Sequence, residues 1–302
     1  MTSLRSHPQP ATALPVKANL LPQRRTSRAL RRFLRHRLAL LGSIILLLML
    51  LMAVFADSIT AFDYDQRNRD YRDGPPNDLH PLGTDRLGLD VWSNLVYATR
   101  VSLAVGILTG LIAVAIGTLV GLISGYAGGT VDGLLMRLVD VIIAFPTLVI
   151  VLAAVSLLGQ GLGNIILVIS LITWTGTARV VRAQVLSLKN WDFVIAARAL
   201  GASSGRIIIR HILPNTLSSV LVAATLAIAG AILIEANLSF LGLGDLTQPS
   251  WGRMLNAAQS HTILRTRWWL WVPPGLAIAL CTLSFNFLGD GLRDALDPHT
   301  KD

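Results

Sequence analysis

The residues of this chain that could do chemistry are few, and their spacing does not favour it. Three lysines occur in 302 residues, Lys17, Lys189 and Lys301, and none follows a glycine. A phosphate loop needs Gly-Lys-Ser/Thr after a strand, because backbone N–H groups and the lysine neutralise the phosphates together. No nucleotide site is therefore encoded. Gly159-Gln160-Gly161-Leu162-Gly163 has some of the glycine spacing of a dinucleotide loop. It falls between two apolar runs with no strand before it, and reads as a tight turn. The six histidines show no metal-ligand spacing, and His211 reads as structural. No Ser-His-Asp order or nucleophile elbow can be made out. The single cysteine, Cys281, lies in an apolar run and reads as packing material.

What remains is charge in apolar surroundings. Arg137 and Asp140 are three residues apart on one helix face, where they can pair or snorkel; a role toward a solute is the other reading. Glu235 lies about two turns inside the end of another apolar run, where a carboxylate is costly. It either faces a solute pathway or pairs with an arginine of a partner chain. Asp290, near a boundary, reads as structural.

The elements that position these residues are set by composition. Hydrophobic residues make up 53% of the chain and charged ones 14%, and mean hydropathy is +0.59. Such a chain cannot cover its apolar surface with polar groups, so lipid is its natural solvent. The net charge of +9 sits in tails and loops between apolar runs, which points to membrane topology and not to nucleic acid. Six runs approach the length that a helix needs to cross hydrocarbon: Leu38–Ala56, Val101–Tyr126, Leu134–Leu158, Ile165–Leu186, Leu217–Leu241 and Trp268–Leu288. They are continuous, not alternating, which excludes a β-barrel. The predicted fold is all-α and polytopic, with six transmembrane helices. The first run has no small-residue cleavage site after it and reads as a retained span.

Six spans put the tail 1–37, the loop 179–216 and the segment from Gly291 on one side, with seventeen Lys and Arg. The other side, 57–99 and 242–267, has seven. The basic side is expected to be cytoplasmic, with both termini. The organisation is then a basic tail (1–37), a first span (38–56), an extracytoplasmic loop (57–99), a five-helix core (100–290) with a cytoplasmic loop (187–216), and a C-terminal tail (291–302). Gly106, Gly110, Gly117, Gly121 and Gly125 form a small-residue stripe suited to close helix approach. Pro146 and Pro273-Pro274 are expected to kink or start helices. Trp251 and Trp268-Trp269-Leu270-Trp271 fall near the outer boundary, as an aromatic belt would.

The loop 187–216 is too long for a plain connector. Trp191–Leu200 reads as a short amphipathic helix with Gly201 as its C-terminal cap. Ile207–Ile212 makes another turn or two, and Pro214 interrupts before the next span. Its apolar face asks either for a partner groove or for the lipid surface.

This loop resembles the Glu-Ala-Ala ("EAA") loop of binding-protein-dependent ABC importer permeases, matching at Ala196, Ala197, Gly201, Ile212, Leu213 and Pro214, with Ile195 at the Glu position. His80–Val91 (with Leu89 where Arg is common), Asn237–Gly244, Pro249-Ser250-Trp251-Gly252 and Phe287–Pro298 resemble motifs of one branch, the C-type permease subunit of the dipeptide, oligopeptide and nickel importers. The likeness runs from about Arg31 to the C-terminus. It implies the type I ABC importer permease fold in a bacterial inner membrane. It also implies a second homologous permease subunit, two ATPase subunits carrying ATP and Mg, and an extracytoplasmic solute-binding protein. This chain would hold no cofactor, bind no nucleic acid and do no covalent chemistry. The resemblance makes the loop the ATPase-docking element, through Phe193, Ala196, Ala197, Arg198, Leu200, Gly201, Arg206, Leu213 and Pro214. Transport by alternating access, with di- or oligopeptides, glutathione-like peptides or nickel complexes as cargo, follows from the resemblance alone. The competing readings are an ion-driven secondary transporter, for which matched broken spans are missing, and a membrane scaffold, which would not need the loop.

Overall fold

In lipid an unpaired backbone group has no partner, so apolar runs of this length fold as helices. The computed structural model describes residues 25–296. The first 24 residues of the basic tail, Asp297-Pro298 and Lys301 lie outside the described residues. The helices are α1 (Arg25–Arg35), α2 (Arg37–Val54), α3 (Ala56–Ile59), α4 (Val91–Ala127), α5 (Gly129–Ile143), α6 (Thr147–Leu158), α7 (Leu162–Leu188), α8 (Asp192–Ala199), α9 (Ser204–Ile207), α10 (Leu213–Phe240), α11 (Trp251–Ala257), α12 (His261–Thr266) and α13 (Val272–Leu296). Five stretches are long and apolar enough to cross a membrane, and α5 with α6 makes a sixth if that bent pair counts as one span.

The third predicted span, Leu134–Leu158, is therefore not a straight helix. It bends by 84° between α5 and α6. Pro146 stands at the break and accepts helix hydrogen bonds from Val149 and Ile150 without donating one of its own. Pro214 does the opposite of what its position suggests. It sits in the first turn of α10, where its missing N–H costs nothing. A π-turn at Ile208–Ile212 joins α9 to α10, and Ser204–Phe240 is long and apolar enough to act as one span. Pro273 and Pro274 start α13.

The second span begins ten residues before the expected Val101, which shortens the preceding loop to 57–90. The cause is a cap. Asp90 accepts a hydrogen bond from the Ser93 N–H at 2.7 Å and takes the N-cap position of α4. Its other oxygen lies 2.9 Å from Nδ1 of His80, which is 1% exposed. The His80 ring is flanked by Phe62 at 5.0 Å and Tyr71 at 5.7 Å. Two isolated bridges, Arg67 with Leu89 and Thr84 with Asp90, close the loop upon itself.

The glycine stripe of α4 is an approach surface. A Cβ on Gly117 would lie 2.5 Å from the Trp174 carbonyl, and one on Gly121 would lie 2.7 Å from the Ala178 carbonyl. Gly125 meets Val185 in the same way, while Gly106 and Gly110 meet Ile232 and Ile228. α7 therefore runs parallel to α4 along one side, and α10 runs antiparallel along another. α2 and α13 complete the bundle, with Gly42 against the Ser284 carbonyl and a core that includes Met49, Leu103, Ile232, Cys281 and Phe285.

Trp251 departs from the aromatic-belt expectation. It is 0% exposed and its indole N–H donates to Thr99 Oγ1 at 3.3 Å. Trp269 is also buried, whereas Trp268 is 53% exposed. Pro249-Ser250 leads Trp251 inward, so the side chain packs under α11 and not into a boundary layer.

Because the obstructing atoms at Gly117 and Gly121 are backbone, they cannot rotate aside. Gly121→Leu is expected to lower the stability of the purified chain by about 1–3 kcal/mol, read as a lower midpoint in detergent unfolding. Gly133, whose Cβ would meet nothing within 4 Å, is the control, and equal midpoints for Gly121→Leu and Gly133→Leu would refute the seam.

Candidate functional site

α8 is built as a knob on a buried stem. Val194, Ile207 and Ile212 are each 0% exposed and join Leu122, Val181, Val185 and Leu188 in one cluster at the end of α4 and α7. Asp192 stands in the first turn of α8 and Arg198 in the last, each matching the helix dipole. Gly201 ends the helix at φ +79. Its N–H bonds to the Arg198 carbonyl, and that of Ala202 to the Ala197 carbonyl, both at 3.0 Å. This is the Schellman arrangement, whose left-handed residue favours glycine.

The nine predicted loop residues divide by facing. Phe193, Ala196, Arg198, Leu200, Gly201, Arg206 and Pro214 are exposed, Leu200 at 88%. Ala197 and Leu213 turn inward and pack on the buried cluster, so they support the loop and do not form its outer surface. The Arg198 guanidinium lies 5.7 Å from the Tyr126 ring centre. Three further apolar side chains share the outer surface: Trp191 at 53%, Ile195 at 52% and Ile209 at 68% exposed. The helical spacing of Trp191 and Ile195, one turn apart, was the available signal for two of them. Phe193 bridges this surface, edge-on to Trp191 at 5.9 Å and tilted against His211 at 6.3 Å.

The charges within the spans connect the same end of the bundle. Arg182 grips Asp132 with two hydrogen bonds, 2.6 and 2.7 Å. The Ser124 hydroxyl also donates to Asp132, and Lys189 donates to the Gly125 carbonyl at 3.2 Å. Asp140 pairs with Arg179 at 2.5 Å. Of the readings open for Arg137 and Asp140, the pair between the two is not formed: Asp140 pairs across helices with Arg179 on α7, and Arg137 is exposed.

Glu235 is engaged by hydroxyl groups of its own chain. It is 2% exposed. Ser239 donates to its carboxylate at 2.6 Å and Ser102 at 3.4 Å, and Ser250 adds a third hydroxyl. Ser102 in turn accepts from the Trp251 N–H at 3.3 Å. The side chain is satisfied inside its own chain and joins α4, α10 and α11.

The long apolar helices, one pair of them sharply bent, and the short helix standing on a buried stem at one end define a polytopic membrane protein. The comparisons agree. Residues 117–302 match the family described as binding-protein-dependent transport system inner membrane component, and residues 25–80 match the N-terminal transmembrane domain of oligopeptide transport permease C. The chain belongs to the binding-protein-dependent transport permeases, in the C-type peptide branch. It is 41% identical over 277 residues to the dipeptide transport system permease protein of Bacillus subtilis, covering 91% of this chain and 86% of that one. It is 42% identical over 278 residues to the glutathione transport system permease protein of Escherichia coli, covering 90% and 89%. The oligopeptide transport system permease protein of Bacillus subtilis is 38% identical over 274 residues, covering 90% and 89%.

Removing a partner from the Arg182 fork should be costly, because a charged hydrogen bond contributes about 1.5–3 kcal/mol. Asp132→Ala is expected to lower the melting temperature of the purified chain, while Arg137→Ala leaves it unchanged. The same drop in both variants would mean that the fork has no special weight.

Proposed function

We propose that this chain is the membrane-spanning subunit of an ATP-driven importer of short peptides. It works with a second permease chain, two ATPase subunits and an extracytoplasmic solute-binding protein. The cargo rests on the names of its relatives, which are dipeptide, glutathione and oligopeptide transport permeases. The excess of Lys and Arg in the tail and in the loop carrying α8 supports a cytoplasmic position for that end and for both termini. The chain itself holds neither ATP nor Mg, and the hydrolysis belongs to the ATPase subunits.

The single observation that carries the coupling role is the exposed apolar surface of α8, standing on a buried anchor. Phe193, Ile195 and Leu200 in water are unfavourable, and a partner cleft removes them from it. The stem then transmits movement. Val194 and Ile207 pack on α7, and α7 is tied to α5 through Arg182–Asp132 and Arg179–Asp140. When the ATPase pair closes, α8 is displaced. α7 and the bent α5–α6 pair follow, and the pathway opens outward to a loaded binding protein. Hydrolysis returns it inward.

Uptake of a labelled dipeptide by the assembled importer should stop on ATP depletion with ion gradients clamped. Leu200→Asp should reduce uptake by at least about tenfold, since a charge cannot enter an apolar cleft without cost, while the amount of chain in the membrane stays the same. Uptake that outlasts ATP would favour an ion-driven transporter. Normal uptake by Leu200→Asp would remove α8 from the coupling role.

A further inference from the structure

At the end of the bundle opposite α8, the loop 57–90 and the segment 246–258 enclose a groove of about 600 Å³. Val91, Ala258 and Leu270, all buried in one cluster, form part of its lining.

Its charge runs against its surroundings. The loop 57–90 carries eight aspartates and four arginines. Only two of those aspartates, Asp65 and Asp85, line the groove, while Arg67 and Arg86 do so with Arg253 from α11. Asp85 is engaged within the loop, its carboxylate accepting the Leu87 and Leu89 N–H groups at 2.8 Å each. Burial, the largest effect, raises its pKa, and neighbouring Asp73 adds to that rise. All three arginines are exposed. The lining thus has one more arginine than aspartate, in a loop where aspartates outnumber arginines two to one.

Both walls are formed in advance. One is fixed by His80 and Asp90. In the other, Asp245 accepts hydrogen bonds from the N–H groups of Leu162, Thr247 and Gln248 and from the Thr247 hydroxyl. Arg253 donates to the Leu246 and Gln248 carbonyls at 2.6 and 3.1 Å. A recess that needs no ordering on contact loses little entropy when it is filled.

We infer that this groove receives an acidic, exposed segment of the solute-binding protein, with carboxylates set against Arg67, Arg86 and Arg253. This rests on the proposed function, which brings such a protein to this face. Charge complementarity to Arg67, Arg86 and Arg253 selects an acidic segment. Contacts of this kind are expected to speed encounter and to weaken with salt.

The test uses the assembled importer in lipid nanodiscs and its purified binding protein carrying one fluorophore. Arg86→Glu and Arg67→Glu should each weaken binding by at least about tenfold at low salt, with a shallower salt dependence than the wild type. Asp78→Ala, on the exposed loop outside the groove, should bind normally. ATPase chains co-purifying with each variant report intact assembly. A Leu87→Cys variant carrying a photo-crosslinker should attach to a segment rich in Asp and Glu; Cys281 is buried and stays silent. Unchanged affinity in both arginine variants, or crosslinking to a basic or apolar segment, would overturn the groove assignment while leaving the importer reading intact. Absence of ATPase chains and of binding-protein association from the wild type would overturn the importer reading itself. If Ala-Ala alone bound the nanodiscs and lost affinity in the same variants, the groove would be a cargo subsite and the proposal would fall.

Discussion

Inside hydrocarbon no hydrophobic force drives one helix against another, so a bundle depends on how closely its backbones can approach. Here that approach is made along α4. Its glycines let carbonyl groups of α7 and the chain of α10 come within contact distance on two sides. Every dispersion contact along those two interfaces depends on the missing side chains, and a single methyl group would open the seam along its length. The functional features sit at the two ends of this one helix. Asp90 caps its beginning and fixes the loop 57–90; Leu122, Gly125 and Tyr126 near its end receive α7 and the stem of α8.

That arrangement explains why an eight-residue helix can be mechanically useful. Isolated helices of that length are marginal in water. α8 is stabilised from outside itself, by Val194 beneath it, by the Schellman hydrogen bonds at Gly201 and by the Arg198–Tyr126 contact. A force applied to its exposed surface therefore reaches α4 and α7 without first unravelling the helix. The π-turn that follows gives α10 a continuous link to the same loop, so two of the spans end on one stem.

Much of this was legible in the sequence, and the reasons differ by feature. The apolar runs were readable because lipid imposes length and continuity. The glycine stripe was readable because its spacing is helical. Gly201 was readable because few residues other than glycine adopt its conformation. The features missed depend on relations between elements. Nothing in the order of residues says that Asp140 prefers Arg179 to Arg137, since the partner lies thirty-nine positions away. The early start of α4 was hidden because Val91–Arg100 mixes polar and apolar residues, and its cap is fixed by His80 from across the loop. Glu235 and Trp251 looked like boundary or pathway residues because both carry a polar group near a span end. Their burial follows from α11 folding inward against Ser102 and Thr99, which no local pattern announces.

The bent pair α5–α6 is the element this logic leaves least supported. Val139 is the only buried side chain that α5 contributes, and α6 adds Val151 and Val155. Leu134 and Leu157 are 69% and 87% exposed. α5 is held through Asp132 and Asp140 and through Val139 packed with Ala113, Trp174 and Ala178, and α6 through the cluster around Ile165 and Val168. An element joined firmly at its ends and weakly along its middle can change its bend without breaking the glycine seam. In the proposed importer the second permease and lipid cover its apolar outer surface, while α4, α7 and α10 keep their mutual packing. As α7 moves with α8, the change of shape relative to that packed core then falls on the part of the fold where the least buried surface has to be exchanged.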